Sequence, residues 1–156
     1  MTRIIRPYRP EDRAAVNLVF YRAVREGAAA HYPAEELAAW APTPDPDLSE
    51  PDKYLDQWCH VAEDGGRVTG FFSMDREGYL DMAFVIPEVL GNGTAAALYD
   101  TMMHSARTAG LTHFTVKAAH QSRQFLARRG WQLDHMQTFT ENGTDYVAAM
   151  MFLDLP

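Results

Sequence analysis

The chain has 156 residues, 47% hydrophobic and 22% charged, with a formal net charge of −7 from 14 basic and 21 acidic side chains. That length predicts one domain, residues 1–156, with its own core, and the charge argues against nucleic acid and toward a neutral or cationic substrate. No apolar stretch approaches the roughly 20 residues of a membrane span, and Met1-Thr-Arg-Ile-Ile-Arg is unlike a signal peptide, so a cytoplasmic chain with no membrane partner is expected.

Arg3–Tyr8 reads as a short strand closed by Pro7 and Pro10. Glu11–Glu26 reads as a helix, because Val16, Val19, Phe20, Ala23 and Val24 fall on one face and Gly27 stands at its end. A second short helix covers Ala34–Ala41. Thr43–Lys53, with Pro44, Pro46, Pro51 and four acids, reads as an irregular surface loop. Trp58–Glu63 and Arg67–Met74 flank Asp64-Gly65-Gly66 as an antiparallel hairpin, and Tyr79–Ile86 adds a third strand. The helix Gly93–Ala109 follows, with Ala95, Leu98, Met102 and Ala106 inward and Gly110 as its stop. The strand Thr112–Ala118, a short helix over Gln121–Arg129 and a final hairpin complete the chain. That hairpin has arms Trp131–Thr140 and Asp145–Leu153 and turns at Asn142-Gly143. The order predicts an α/β (α+β) fold: a mixed, mostly antiparallel sheet of about seven strands with about four helices on its two faces.

The most informative segment is Met82–Ile86, Pro87, Gly91-Asn92-Gly93 and the helix after them. A strand that turns through glycines into a helix offers free backbone N–H groups and the positive end of the helix dipole to a phosphate. Gly91-x-Gly93-x-x-Ala96 matches the dinucleotide pattern G-x-G-x-x-G/A in form. That fingerprint, however, opens a βαβ unit whose next strand ends in an acid, whereas here it ends in Lys117 and three antiparallel strands come first. The triphosphate-binding pattern G-x-x-x-x-G-K-[ST] is absent. Histidine spacing shows no H-x-x-x-H or H-E-x-x-H, and Cys59 stands alone, so neither a metal site nor a disulfide is expected.

Three segments carry a family resemblance. Phe84-Val85-Ile86-Pro87 with Leu90-Gly91-Asn92-Gly93-Thr94-Ala95 resembles motif A of the GNAT superfamily of acyl-CoA N-acyltransferases, V-x-P followed by Q/R-x-x-G-x-G/A. Ser122-Arg-Gln-Phe125-Leu126-Ala-Arg-Arg-Gly130-Trp131 resembles the second motif, A/S-x-x-F-Y-x-x-x-G-F, and Ile5–Asp12 resembles the usual first strand and helix entry. Together they span residues 3–154. Phe20–Gly27 through His31-Tyr32-Pro33 to Trp40-Ala-Pro42 is similar to the YafP-like branch of small bacterial N-acetyltransferases. Three positions depart from the pattern: Leu90 replaces Gln or Arg, Ala119 replaces Asn, and Leu126 replaces the Tyr that commonly protonates the departing thiolate.

The resemblance implies acetyl-CoA as cosubstrate, no metal, and direct attack of a primary amine on the thioester. It implies that acetyl-CoA is held by Phe84, Val85, Ile86, Leu90, Gly91, Asn92, Gly93, Thr94 and Ala95, with Ser122 and Phe125 from the second motif. Lys117, Arg123, Arg128 and Arg129 are candidates for its phosphates. An ordinary amine, with a pKa near 10.4, is almost wholly protonated at pH 7, a handicap of roughly 4–5 kcal/mol, so a base is needed. Asp81 is the expected base; Tyr79, two residues away on the same strand face, and His120 are the other catalytic candidates. His31, Tyr32 and Trp40 are expected to border the acceptor. The acceptor is expected to be a small molecule, with a protein or peptide amine and a non-catalytic acyl-CoA-binding module as alternatives. Late strands are a further expectation as a homodimer surface.

Overall fold

Among the described residues the sheet has seven strands: β1 (Arg3–Pro7), β2 (Trp58–Asp64), β3 (Arg67–Met74), β4 (Tyr79–Val85), β5 (His113–Ala118), β6 (Gln132–Glu141) and β7 (Thr144–Asp154). Their spatial order is β1-β2-β3-β4-β5-β7-β6. Four α-helices accompany them: α1 (Arg13–Arg22), α2 (Ala34–Trp40), α3 (Thr94–Thr108) and α4 (His120–Ala127). This computed structural model describes residues 3–156; Met1 and Thr2, where the expectation about a leader begins, lie outside the described residues. Among the described residues no helix is long and apolar enough to cross a membrane.

One junction departs from the antiparallel pattern. β4 and β5 run parallel and pair only at Tyr79↔Thr115 and Leu80↔Val116. β5 then continues against β7, from His113↔Asp154 to Ala118↔Ala149, so past Leu80 the two strands diverge and open a wedge. A second irregularity lies beside it. Met74 pairs with Leu80 and Ser73 with Met82, which leaves Asp81 as an extra residue in β4. Such a bulge twists the strand and re-aims its side chains.

The packing follows from side-chain period. On α3, Leu98, Met102 and Ala106 turn inward as expected, and Tyr99 and Met103 widen the buried stripe. They meet Phe71, Phe114, Leu80 and Leu126 in the main core. Gly70 on β3 lets α3 settle on the sheet: a Cβ there would lie 2.7 Å from Val85 Cγ1 and 3.1 Å from Leu98 Cδ1. Under α2 a smaller cluster joins Val24, Ala28, Leu37 and Ala41 to Phe20, Trp40 and Phe84.

Two expected boundaries shift. The first helix breaks into a 3-10 turn Pro10–Asp12, α1, and a π-helical turn Ala23–Gly27. Its start is fixed by the buried Asp12, whose carboxylate accepts from the two terminal guanidinium nitrogens of Arg6 (2.8 and 2.9 Å) and from the Arg9 N–H (2.8 Å). The loop over 43–53 runs into a 3-10 turn, Lys53–Asp56, because the Asp52 carboxylate accepts from the Tyr54 N–H and the Tyr8 hydroxyl.

Candidate active site

The wedge between β4 and β5 opens a cleft of about 130 Å³. Phe84 and Val85 form its strand wall, Leu90 and Ala95 its loop end, and Ser122, Phe125 and Leu126 of α4 the opposite side. The Ile86 N–H donates to Thr69 O at 2.9 Å. In an antiparallel ladder the bonding edge alternates, which turns the N–H groups of Ala83 and Val85 toward the wedge. Those donors face the place where β5 has withdrawn.

At the loop end, Gly93 takes φ 92° and ψ 0°, a left-handed conformation that suits glycine. The Asn92 carboxamide oxygen accepts from the Thr94 N–H (3.0 Å) and hydroxyl (2.6 Å). Among the described residues, no partner is found for the N–H groups of Gly91, Gly93, Ala95 or Ala96. A cradle of backbone donors at the positive end of α3 results, suited to a phosphate. Arginines brace it from outside. Arg3 donates to Asn92 O (3.2 Å) and Thr94 Oγ1 (3.3 Å), and Arg22 and Arg67 hold Glu88 at 2.6 and 2.9 Å. Hydrogen bonds from Arg22 hold the Glu88 carboxyl down at about 2. Leu90 is 62% exposed and contributes an apolar edge only.

Across the wedge lies an aromatic chamber. Trp40 packs edge-on against Phe20, Tyr32 and Phe84, and lies within 8° of parallel to Tyr146, their centroids 6.4 Å apart. His31 stacks on His120 with centroids 4.2 Å apart, and the His120 N–H, first in α4, donates to the Tyr32 hydroxyl at 2.8 Å. Asp81 enters the wedge beside Lys117, Ser122 and Leu126. Its carboxylate is bound by Lys53 (3.0 Å) and accepts from the Gln57 amide (3.0 Å). Burial, with Asp81 and Asp75 nearby, raises the Tyr79 pKa, so Tyr79 is a proton donor rather than a base. Cys59 is buried, and burial pushes its thiol far above its ordinary value, which removes it as a nucleophile.

Of the residues expected to hold acetyl-CoA, Phe84, Val85, Leu90, Ala95, Ser122 and Phe125 line the cleft. Gly91, Asn92 and Gly93 form the loop above it. Thr94 is buried behind the loop, and Ile86 is buried with its N–H already spent. Leu126 is 1% exposed and fills the cleft wall with no proton to give. Two of the basic candidates for phosphate have other positions. Lys117 faces the aromatic chamber, and Arg129 lies over the Phe125 ring at 3.7 Å while donating to Phe125 O. Sequence reasoning missed Ala23 and Gly27, which the π turn presents to the cleft; it also missed Arg3, Phe139 and Tyr146. Gly27 was legible only as the stop of the first helix, and Ala23 only as part of its inward face.

The acetyltransferase (GNAT) domain family matches residues 28–152. Over 128 residues the chain is 33% identical to YafP of Escherichia coli strain K12, an uncharacterized N-acetyltransferase, covering 82% of this chain and 80% of that one. Among solved structures, a GCN5-related N-acetyltransferase from Rhodopseudomonas palustris aligns with a TM-score of 0.87 and 27% identity, covering 99% of this chain and 97% of the other. YncA from Salmonella typhimurium, solved with its cofactor acetyl-CoA, aligns with a TM-score of 0.69 and 19% identity over 100% of this chain and 95% of the other.

Proposed function

The chain belongs to the GNAT acetyltransferase family, and on that premise we propose that it moves an acetyl group from acetyl-CoA to the primary amine of a small molecule within a ternary complex. The observation that carries the reading is the wedge: β4 and β5 part after two paired residues, with a phosphate cradle at one end and an aromatic chamber beside it. A diphosphate suits the free N–H groups of Gly91, Gly93, Ala95 and Ala96, and the thioester arm suits the apolar channel along Phe84, Val85 and Phe125. The family affinity and the acetyl-CoA bound to YncA support that choice of ligand.

In this reading the neutral amine attacks the thioester carbonyl from the chamber side. The Val85 or Ala83 N–H meets the oxyanion as the new C–N bond forms, and the C–S bond then breaks. Asp81 takes the amine proton, since it is the acidic residue among those lining the wedge cavity. Tyr79, kept protonated by burial, or the His120–His31 pair returns a proton to the leaving thiolate. A thiol with a pKa near 8.5 leaves tolerably without help. Leu126 nevertheless favours one rival reading, a module that binds acyl-CoA without transfer.

A thiol-release assay over a panel of amines separates the two. Release of CoA with formation of an N-acetyl amine is expected. Thermal stabilisation by CoA with no release on any amine would establish the rival, and stabilisation by NAD but not CoA would remove both.

A further inference from the structure

The chain contains two lysines, Lys53 and Lys117, and both stand beside the wedge. Lys53 is committed to Asp81. Lys117 is placed differently. Its ammonium lies over the faces of Phe139 (4.4 Å) and Tyr146 (5.3 Å) and donates to the Tyr146 hydroxyl at 2.7 Å. The Glu141 carboxylate forms an ion pair with it at 3.6 Å, beyond hydrogen-bond reach, and is itself engaged by the Tyr146 hydroxyl at 2.8 Å. An ammonium has three donors, and here one is spent. Lys117 is also shared by two adjoining spaces: the chamber walled by Tyr32, Trp40 and Tyr146, and the cavity along the wedge with Asp81 and Ser122.

We propose that this chamber is the acceptor subsite, and that it takes an amine carrying a carboxylate beside a planar apolar group, as in an aromatic amino acid. The inference rests on the acetyl-transfer reading for its chemistry, though not for the binding it describes. A carboxylate offers a charge-assisted acceptor to the remaining donors of Lys117, whose side chain is 29% exposed and so open to a ligand. The aromatic walls of Tyr32, Trp40 and Tyr146 favour a planar apolar body packed against them. The other titratable groups around this space are Tyr79, Asp81, Glu141, Tyr32, His31 and His120, and Asp81 already has Lys53 as its counter-charge.

The test compares matched pairs, L-phenylalanine against phenethylamine and L-tryptophan against tryptamine, by CoA release at saturating acetyl-CoA. The carboxylated partner is expected to have the higher kcat/KM by about 10- to 100-fold, the worth of one charge-assisted hydrogen bond. In Lys117→Met that preference should vanish through the KM for the acceptor, with the KM for acetyl-CoA unchanged; Lys117→Arg should keep much of it. A wild-type preference for the decarboxylated amines, or a preference that survives in Lys117→Met, overturns the proposal. Thermal shift with N-acetyl-phenylalanine against N-acetyl-phenethylamine, each with CoA, reads the subsite without turnover. Selective stabilisation by the carboxylated ligand supports the proposal, and equal stabilisation or none overturns it. Absence of CoA release with every amine would sink acetyl transfer while leaving this binding result to decide the subsite. If Lys117→Met does not fold, Tyr146→Phe, which removes the hydroxyl partner alone, is expected to alter the same preference.

Discussion

Ala95 is the second residue of α3, half-buried, and its side chain faces the cleft. Replacing it with glutamate sets fold and ligand against one another. For the fold, a carboxylate in the first turn gains about 0.3–1 kcal/mol from the helix dipole, against a propensity loss below about 0.7 kcal/mol. Net stability should hold or rise slightly, leaving Tm within about 2 °C of wild type. For a bound diphosphate the sign reverses. A new negative charge about 5 Å from a phosphate costs about 3 kcal/mol at an effective dielectric constant near 20. CoA affinity should therefore fall on the order of 100-fold. Isothermal titration with CoA and a thermal melt of the same sample read both quantities. An unchanged melt with CoA affinity within about threefold of wild type would refute the assignment of the phosphates to this loop, because misfolding could not be blamed.

Three further outcomes follow from the geometry. The Arg6 hydrogen bonds hold the Asp12 carboxyl below its ordinary value. Its stabilisation is thus present above the unfolded pKa of about 3.9 and is lost as pH falls through the folded value. Asp12→Asn should cost about 3 kcal/mol at pH 7, or roughly 10 °C, with the gap to wild type closing on acidification below about pH 4; a constant gap down to pH 2.5 would contradict this. Asp81→Asn should lower kcat by about 10²- to 10⁴-fold and remove the acidic limb of the pH–rate profile. Its melt should move by less than about 1 kcal/mol, since Lys53 is half exposed; an unchanged profile would make Asp81 structural. Leu126→Tyr should overpack a site that is 1% exposed, at about 1–3 kcal/mol, while raising kcat. An unchanged kcat would show that the thiolate departs without an acid from this position.

The element order was legible because the chain's periods are clean and its turns carry the residues they need. Leu98, Met102 and Ala106 fall at helical spacing, and Asn142-Gly143 sits between two alternating runs. The glycine loop could be found for the same reason, as a phosphate cradle depends on backbone conformation that glycine advertises. What could not be read was set by tertiary packing. The bulge at Asp81 shows only in the pairing of β3 with β4, and the π turn at Ala23–Gly27 depends on how α1 meets the cleft. Which face Lys117 serves depended on β5 diverging from β4 after Val116 while its other edge stays paired with β7, a long-range event with no local signature. Ile86 illustrates the converse: its motif position was plain, but its N–H is spent on Thr69.

The most direct test of the account is a single-turnover experiment with stoichiometric acetyl-CoA and an accepted amine, followed by mass spectrometry of amine and protein together. One free CoA thiol is expected for each N-acetylated amine, with the protein mass unchanged throughout, since attack is direct and Cys59 is buried. An acetyl group that appears on the protein before the amine, or CoA release without an acetylated amine, would contradict it.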